Sequence, residues 1–396
     1  MTSIPVALAY GTRPEAIKLA PVVRALDESA TLRPVVAVSG QHREMLDQVH
    51  RRFGITSDVD LNLMRAGQTL ADLTGSALTG FSGFLEARPE IAVVVVQGDT
   101  TTAMAAALAA FYQRRLVVHV EAGLRTGDRR SPYPEEVNRR LISQLADLHL
   151  APTPLAGERL LAEGHDPSRV LVTGNTVIDA LHQAVALEDS TGDVLLDLAV
   201  EQAVAERRKI VLVTAHRRES WGEPMRQIGR AVARVAQERP DVLVVLPVHR
   251  NPVVRESLVA TVDHVPNVMV TEPLDYGPFA YLVSRSTLVL TDSGGIQEEA
   301  PSLGVPVLVM RDTTERPEAV AAGAARLVGT DSAAIAGAAL TLLDGGPEFT
   351  AMQRAGSPFG DGQAARRTEA AIAHLVGLGD RPDEFVPNKA LDERVR

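Results

Sequence analysis

The sequence contains no cysteine, which excludes disulfides, zinc–thiolate centres and a cysteine nucleophile. Lysine is almost as scarce: of 40 basic residues, only Lys18, Lys209 and Lys389 are lysines. Against that arginine-rich background Lys18 stands out, because it follows the first strand. No apolar run approaches the ~18 residues that a membrane span requires. The N-terminus, Met1-Thr-Ser-Ile-Pro5, runs directly into a strand, without the basic region and apolar core of a signal peptide. The expectation is a cytoplasmic protein without a membrane partner. Positive charge is also in short supply. A net charge of −10 argues against a general binder of nucleic acid or anionic membranes. No G-x-G-x-x-G follows the first strand, so a nicotinamide cofactor is not expected. No His/Cys cluster has metal-ligand spacing, so no metal is expected.

What is present is a chain of 396 residues, 45% apolar and 23% charged, long enough for two average domains. Strand and helix signals alternate throughout. The first half predicts strands at 6–10, 35–38, 91–96, 116–120, 148–150 and 170–173. The second predicts them at 210–213, 242–246, 268–270, 288–291, 305–310 and 326–328. Residues 188–196 are acidic and read as an irregular link. Ile91-Ala-Val-Val-Val-Val96 is wholly apolar, the mark of a parallel strand covered on both faces. The fold class is therefore α/β, with two doubly wound, Rossmann-like domains and ligands beyond the C-terminal strand ends. The expected divisions are 1–175, 176–362, a C-terminal helix at 363–378 packing back across both domains, and a tail at 379–396.

The residues that attract attention lie at those strand ends. Leu288–Thr291 is followed by Ser293, Gly294 and Gly295 and then a helix. Two glycines and unpaired N–H groups admit a diphosphate, and Glu299 is placed to hold ribose hydroxyls. The same stretch also reads as an ordinary strand–turn–helix capped by Ser293. Arg13 and Lys18 follow the first strand, Asp99 the third, and Glu121 the fourth. Asp99 serves equally as a catalytic acid or as the N-cap of the next helix. Glu121 ends a buried strand, where an unpaired carboxylate is costly. Glu135 and Glu136 open a helix, where acidic residues also suit the dipole. His216 and His249 each follow a strand of the second half.

Nine motifs occur in order. They are Gly11-Thr-Arg-Pro-Glu-Ala-Ile-Lys18, Gln41-His-Arg-Glu-Met-Leu46, Gly98-Asp-Thr-Thr-Thr102, His119-Val-Glu-Ala-Gly-Leu-Arg-Thr-Gly127 and Pro134-Glu-Glu-Val-Asn-Arg139. Then come Gly174-Asn-Thr-Val-Ile-Asp179, His216-Arg-Arg-Glu-Ser220, Asp292-Ser-Gly-Gly-Ile-Gln-Glu-Glu-Ala-Pro-Ser302 and Arg311-Asp-Thr-Thr-Glu-Arg-Pro-Glu318. Together they closely resemble the non-hydrolysing UDP-N-acetylglucosamine 2-epimerase family, from about residue 6 to about 376. The resemblance implies a GT-B architecture with the active site in the interdomain cleft. It implies interconversion of UDP-GlcNAc and UDP-ManNAc without cofactor or metal, by elimination of UDP and re-addition, in a homodimer. Matched positions make Asp99, Glu121, Glu135 and His216 the catalytic set. Arg13, Lys18, Ser293, Gly294, Gly295 and Glu299 become the substrate and UDP contacts. Bacterial members often bind a second UDP-GlcNAc as activator, and the matching positions are Gln41, His42, Gln68, Glu136, Arg217 and His249; some relatives carry an arginine where this chain has Gly67. A GT-B glycosyltransferase and a hydrolysing 2-epimerase are the competing readings.

Overall fold

The computed structural model describes residues 3–40, 43–65 and 67–387. By their contacts these fall into two units: residues up to Ala180 together with Phe359–Pro387, and Leu181–Pro358. In chain order the first unit comprises β1 (Ile4–Tyr10), α1 (Arg13–Asp27), β2 (Leu32–Val38), α2 (Arg43–Phe53), β3 (Val59–Asp60), α3 (Leu70–Glu86), β4 (Val93–Gln97), α4 (Thr101–Tyr112), β5 (Leu116–Val120), α5 (Glu135–Leu145), β6 (Leu148–Ala151), α6 (Pro154–Ala162), β7 (Val170–Val172) and the start of α7 (Thr176–Leu187). Its seven strands lie in the order β3-β2-β1-β4-β5-β6-β7, and every pair is parallel. Val93 to Val96 are at most 2% exposed. Apolar side chains on both faces are what a strand with helices above and below demands.

The second unit continues with α8 (Val194–Ala205), β8 (Lys209–Thr214), α9 (Glu223–Glu238), β9 (Val242–Pro247), α10 (Pro252–Val262), β10 (Val268–Thr271), α11 (Tyr276–Arg285), β11 (Leu288–Thr291), α12 (Gly294–Glu299), β12 (Val307–Val309), α13 (Pro317–Ala321), β13 (Ala325–Leu327), α14 (Ser332–Leu343) and α15 (Pro347–Arg354). Its sheet runs β10-β9-β8-β11-β12-β13, again wholly parallel. The last helix, α16 (Ala364–Leu375), belongs to the first unit. There Ser29 donates to Glu369 at 2.6 Å, and buried Asp179 accepts from the N–H groups of Ala364 and Ala365 at 3.2 and 2.9 Å. Asp179 thus caps α16 from a distant part of the chain.

Three elements differ from the reading of the sequence. The segment read as an irregular link at 188–196 already contains the start of α8, capped by Asp193, which accepts from Leu195 N at 3.0 Å. Leu196, Val200 and Ala203 form its buried face, but Val194, Leu195 and Leu198 are exposed, so apolar residues circle the helix and no periodicity marks it. The two-residue β3 is too short to leave a strand pattern. The helix α15 begins at Pro347 and buries only Met352. Among the described residues, no helix is long and apolar enough to cross a membrane.

Candidate active site

In the first sheet the strand order reverses between β1 and β4. Side chains beyond the C-terminal ends of such strands face the crevice where α/β proteins take their ligands. The turn after β1 is tied to the turn after β4 by Glu15, which is 1% exposed. Its carboxylate accepts from Gly11 N at 3.0 Å, from Thr12 N and Oγ1 at 2.7 Å each, and from Thr100 Oγ1 at 2.6 Å. Burial pushes Glu15 above the ordinary carboxylate range, against the pull of those donors. Arg13 opens α1 half-buried, and its side chain makes no hydrogen bond among the described residues.

Thr100, rather than Asp99, is the N-cap of α4; its hydroxyl accepts from Ala103 N at 3.0 Å. The Asp99 carboxylate is instead gripped by Arg139, whose Nε donates to it at 3.0 Å while a terminal nitrogen makes a second contact. Burial nevertheless holds the Asp99 carboxyl above its usual range, helped by the charge of Glu121 and opposed by Arg139 and Lys18. Arg139 also donates to Glu136 at 3.1 Å. Burial would raise Glu136, but Thr126 N–H, Arg139 and Arg140 outweigh it and hold that carboxyl low. Glu135, at the start of α5, is half-buried and has no side-chain hydrogen bond among the described residues.

Glu121 stands at the end of β5 with φ +64°, a left-handed backbone that non-glycine residues seldom adopt. Lys18 Nζ lies 2.7 and 2.5 Å from its two oxygens. Gln97 Nε2 also donates to it, and Asn175 Nδ2 lies at 3.5 Å. Beneath this cluster His119 is wholly buried, with Nε2 2.7 Å from Gly98 O. Burial pushes its pKa down to about 4, so the ring is neutral and its N–H steadies the Gly98–Asp99 turn.

The second sheet reverses between β8 and β11. Asp292, completely buried after β11, accepts from His216 N and Arg217 N at 2.8 Å each, and His216 Nδ1 lies 3.3 Å from its other oxygen. The rings of His216 and His249 stack at 6.0 Å. Ser293 occupies the N-cap position of α12 without making a side-chain cap bond. A Cβ on Gly294 would lie 3.0 Å from Glu315 Oε1, so a larger residue there would have to displace that carboxylate. Gly295 is exposed beside it. Glu315 is paired with Arg217 at 2.6 Å and Arg311 at 2.7 Å. Although burial opposes ionisation, Arg311, the backbone and Arg217 bring its pKa down to about 2. Glu299 is buried and accepts from Tyr276 OH at 3.1 Å.

Within the first unit the structure thus joins Lys18 with Glu121, and Asp99 with Glu136 through Arg139. In the second it joins His216 with His249. It does not join Gln68 to them: that side chain donates to Leu63 O and Ser76 Oγ at 3.2 Å each. Gln41 and His42 lie outside the described residues. Sequence reasoning passed over Glu15, Gln97, Arg139, Asn175, Asp292, Glu315 and Tyr276. Most lie inside the nine motifs, but their partners are remote in sequence. No group of three His, Cys, Asp or Glu among the described residues could hold a metal ion.

The model of the UDP-N-acetylglucosamine 2-epimerase family matches residues 24–373. The UDP-N-acetylglucosamine 2-epimerase of Escherichia coli K12 is 51% identical over 365 residues, covering 92% of this chain and 96% of that one. A crystal structure of a UDP-N-acetylglucosamine 2-epimerase superposes with a TM-score of 0.89 at 44% identity, covering 98% of this chain and 100% of the other. That of the UDP-GlcNAc 2-epimerase from Neisseria meningitidis, bound to UDP-GlcNAc, gives 0.80 at 44% identity over 94% of this chain and 99% of that one. With its two wholly parallel α/β sheets in accord with that match, the chain belongs to the UDP-N-acetylglucosamine 2-epimerase family.

Proposed function

We propose that this protein inverts C2 of UDP-GlcNAc, giving UDP-ManNAc reversibly and without hydrolysis. The observation that carries the reading is the pair of braced carboxylates, Asp99 and Glu121, at neighbouring strand ends in a chain of this family. The C2 hydrogen is weakly acidic, so its removal needs a positioned base and a departing group at C1. In this reading UDP leaves from C1 as the proton leaves C2, producing a 2-acetamidoglucal. Protonation of C2 from the other face and return of UDP complete the inversion. Asp99, Glu121 and Glu135 are the acid and base candidates, and a partly buried carboxyl raised above its usual range, such as Asp99, is better matched to neutral pH than an exposed one. Arg13, His216 and the Ser293–Gly295 turn stabilise the leaving diphosphate, and Glu299 holds the ribose.

Within the same reading the chain acts as a cytoplasmic homodimer. Phe111 and Tyr112 at the end of α4, with Val137 and Leu141 on α5, supply exposed apolar surface for a second copy. Matched to the family, Gln41, His42, Gln68, Glu136, Arg217 and His249 are the positions proposed for a second, activating UDP-GlcNAc. The test of the reaction is the proton NMR spectrum of purified protein with UDP-GlcNAc alone. The reading expects UDP-ManNAc at equilibrium with the starting sugar. Free ManNAc and UDP would overturn the non-hydrolysing step. Transfer of sugar to an added acceptor, with no UDP-ManNAc, would overturn epimerisation itself.

A further inference from the structure

Gln97 is the last residue of β4 and pairs in register with Val120, immediately before Glu121. It ends a run of four valines in the core and is itself only 3% exposed. An amide at such a position is costly unless its polar atoms are bonded. Its Nε2 donates to Glu121 Oε2, while Asn175 Nδ2 lies 3.5 Å from Oε1 and Lys18 Nζ touches both oxygens. Three side-chain donors from α1, β4 and the segment after β7 thus converge on one carboxylate, whose own backbone is left-handed.

We propose that Gln97 is a positioning residue for Glu121, with Asn175 assisting: the amides fix the direction of its oxygens in the acceptor-only form that takes up a proton. An ionised carboxylate accepts and cannot donate, so donors converging on it are satisfied only in that form. Lys18 supplies charge but is long and flexible; the amides, on rigid backbone, supply direction. Neither amide need touch the sugar. The inference rests on the reading of Glu121 as an acid–base group.

The test is a cycle of variants assayed for epimerisation. Gln97→Met keeps the length and removes the donor; it should lower kcat about tenfold, the effect of one lost charge-assisted hydrogen bond, with KM and UDP affinity within about twofold of wild type. Introduced into Glu121→Gln, the same substitution should cause no further loss, because the group it directs is gone. Gln97→Asn withdraws the amide by one methylene in a still polar side chain and should show the same split; it decides the matter if Gln97→Met does not fold. Unchanged kcat in the Gln97 variants, or an equal loss in both backgrounds, would overturn the inference and leave Gln97 a packing residue. Full activity of Glu121→Gln would instead overturn the reading of Glu121, and this inference with it.

Discussion

Glu299 and Tyr276 show how one hydrogen bond can aim a carboxylate proposed to bind. The tyrosine hydroxyl donates to Glu299 Oε1 at 3.1 Å and so fixes the direction of that group. Glu299→Ala should weaken UDP binding by about 1.5–3 kcal/mol, roughly ten- to a hundredfold, as expected for a lost hydrogen bond to a charged group. Tyr276→Phe should cost about 0.5–1.5 kcal/mol, because only the alignment of the carboxylate is lost. Calorimetry with UDP measures both; an unchanged affinity in Glu299→Ala would contradict the ribose contact. At this scale the sequence offers half of each interaction. A carboxylate at the end of a buried strand is legible because burying charge is costly, so Glu121 drew attention. Its partners were not legible: Lys18 is 103 residues away and Gln97 is 24, and only the sheet order brings them together.

Among elements, α16 depends on an acceptor that comes from α7. Asp179 is 4% exposed, and burial raises its pKa from 3.8 to about 6, against the pull of the Ala364 and Ala365 N–H groups. A folded pKa above the unfolded one means that its contribution is fully present below 3.8 and is lost as pH rises through about 6. The loss amounts to at most about 3 kcal/mol. Asp179→Asn does not titrate, so the stability gap between wild type and variant should shift in the variant's favour from about pH 4 to about pH 7. Thermal midpoints across that range provide the check, and a constant gap would contradict the assignment. The elements that were legible have strong signals, such as the four successive valines of β4. Those that were missed have a physical reason for silence. In α8 the exposed face carries Val194, Leu195 and Leu198, so hydrophobicity does not alternate. In β3 two residues are paired with β2, too few to show a period.

At the scale of the whole molecule, two sheets repeat one plan, each reversing strand order beside its first strand. The residues proposed for the reaction lie at or beside those reversals, after β1, β4 and β5 in one unit and after β8 and β11 in the other. This much follows from strand–helix alternation, since parallel strands joined by helices leave their C-terminal ends for ligands. In the proposed division of labour, proton transfer falls to carboxylates of the first unit, and the diphosphate contacts other than Arg13 fall to the second. Glu121→Gln should therefore lower turnover by at least ~100-fold, the usual contribution of a positioned acid or base, while UDP still binds. The most direct measurement is turnover of UDP-GlcNAc in D2O followed by NMR of the product. Inversion by proton removal and return predicts deuterium at C2 of the UDP-ManNAc formed. UDP-ManNAc that retains its original hydrogen at C2 would contradict it and require a route in which that hydrogen never reaches solvent.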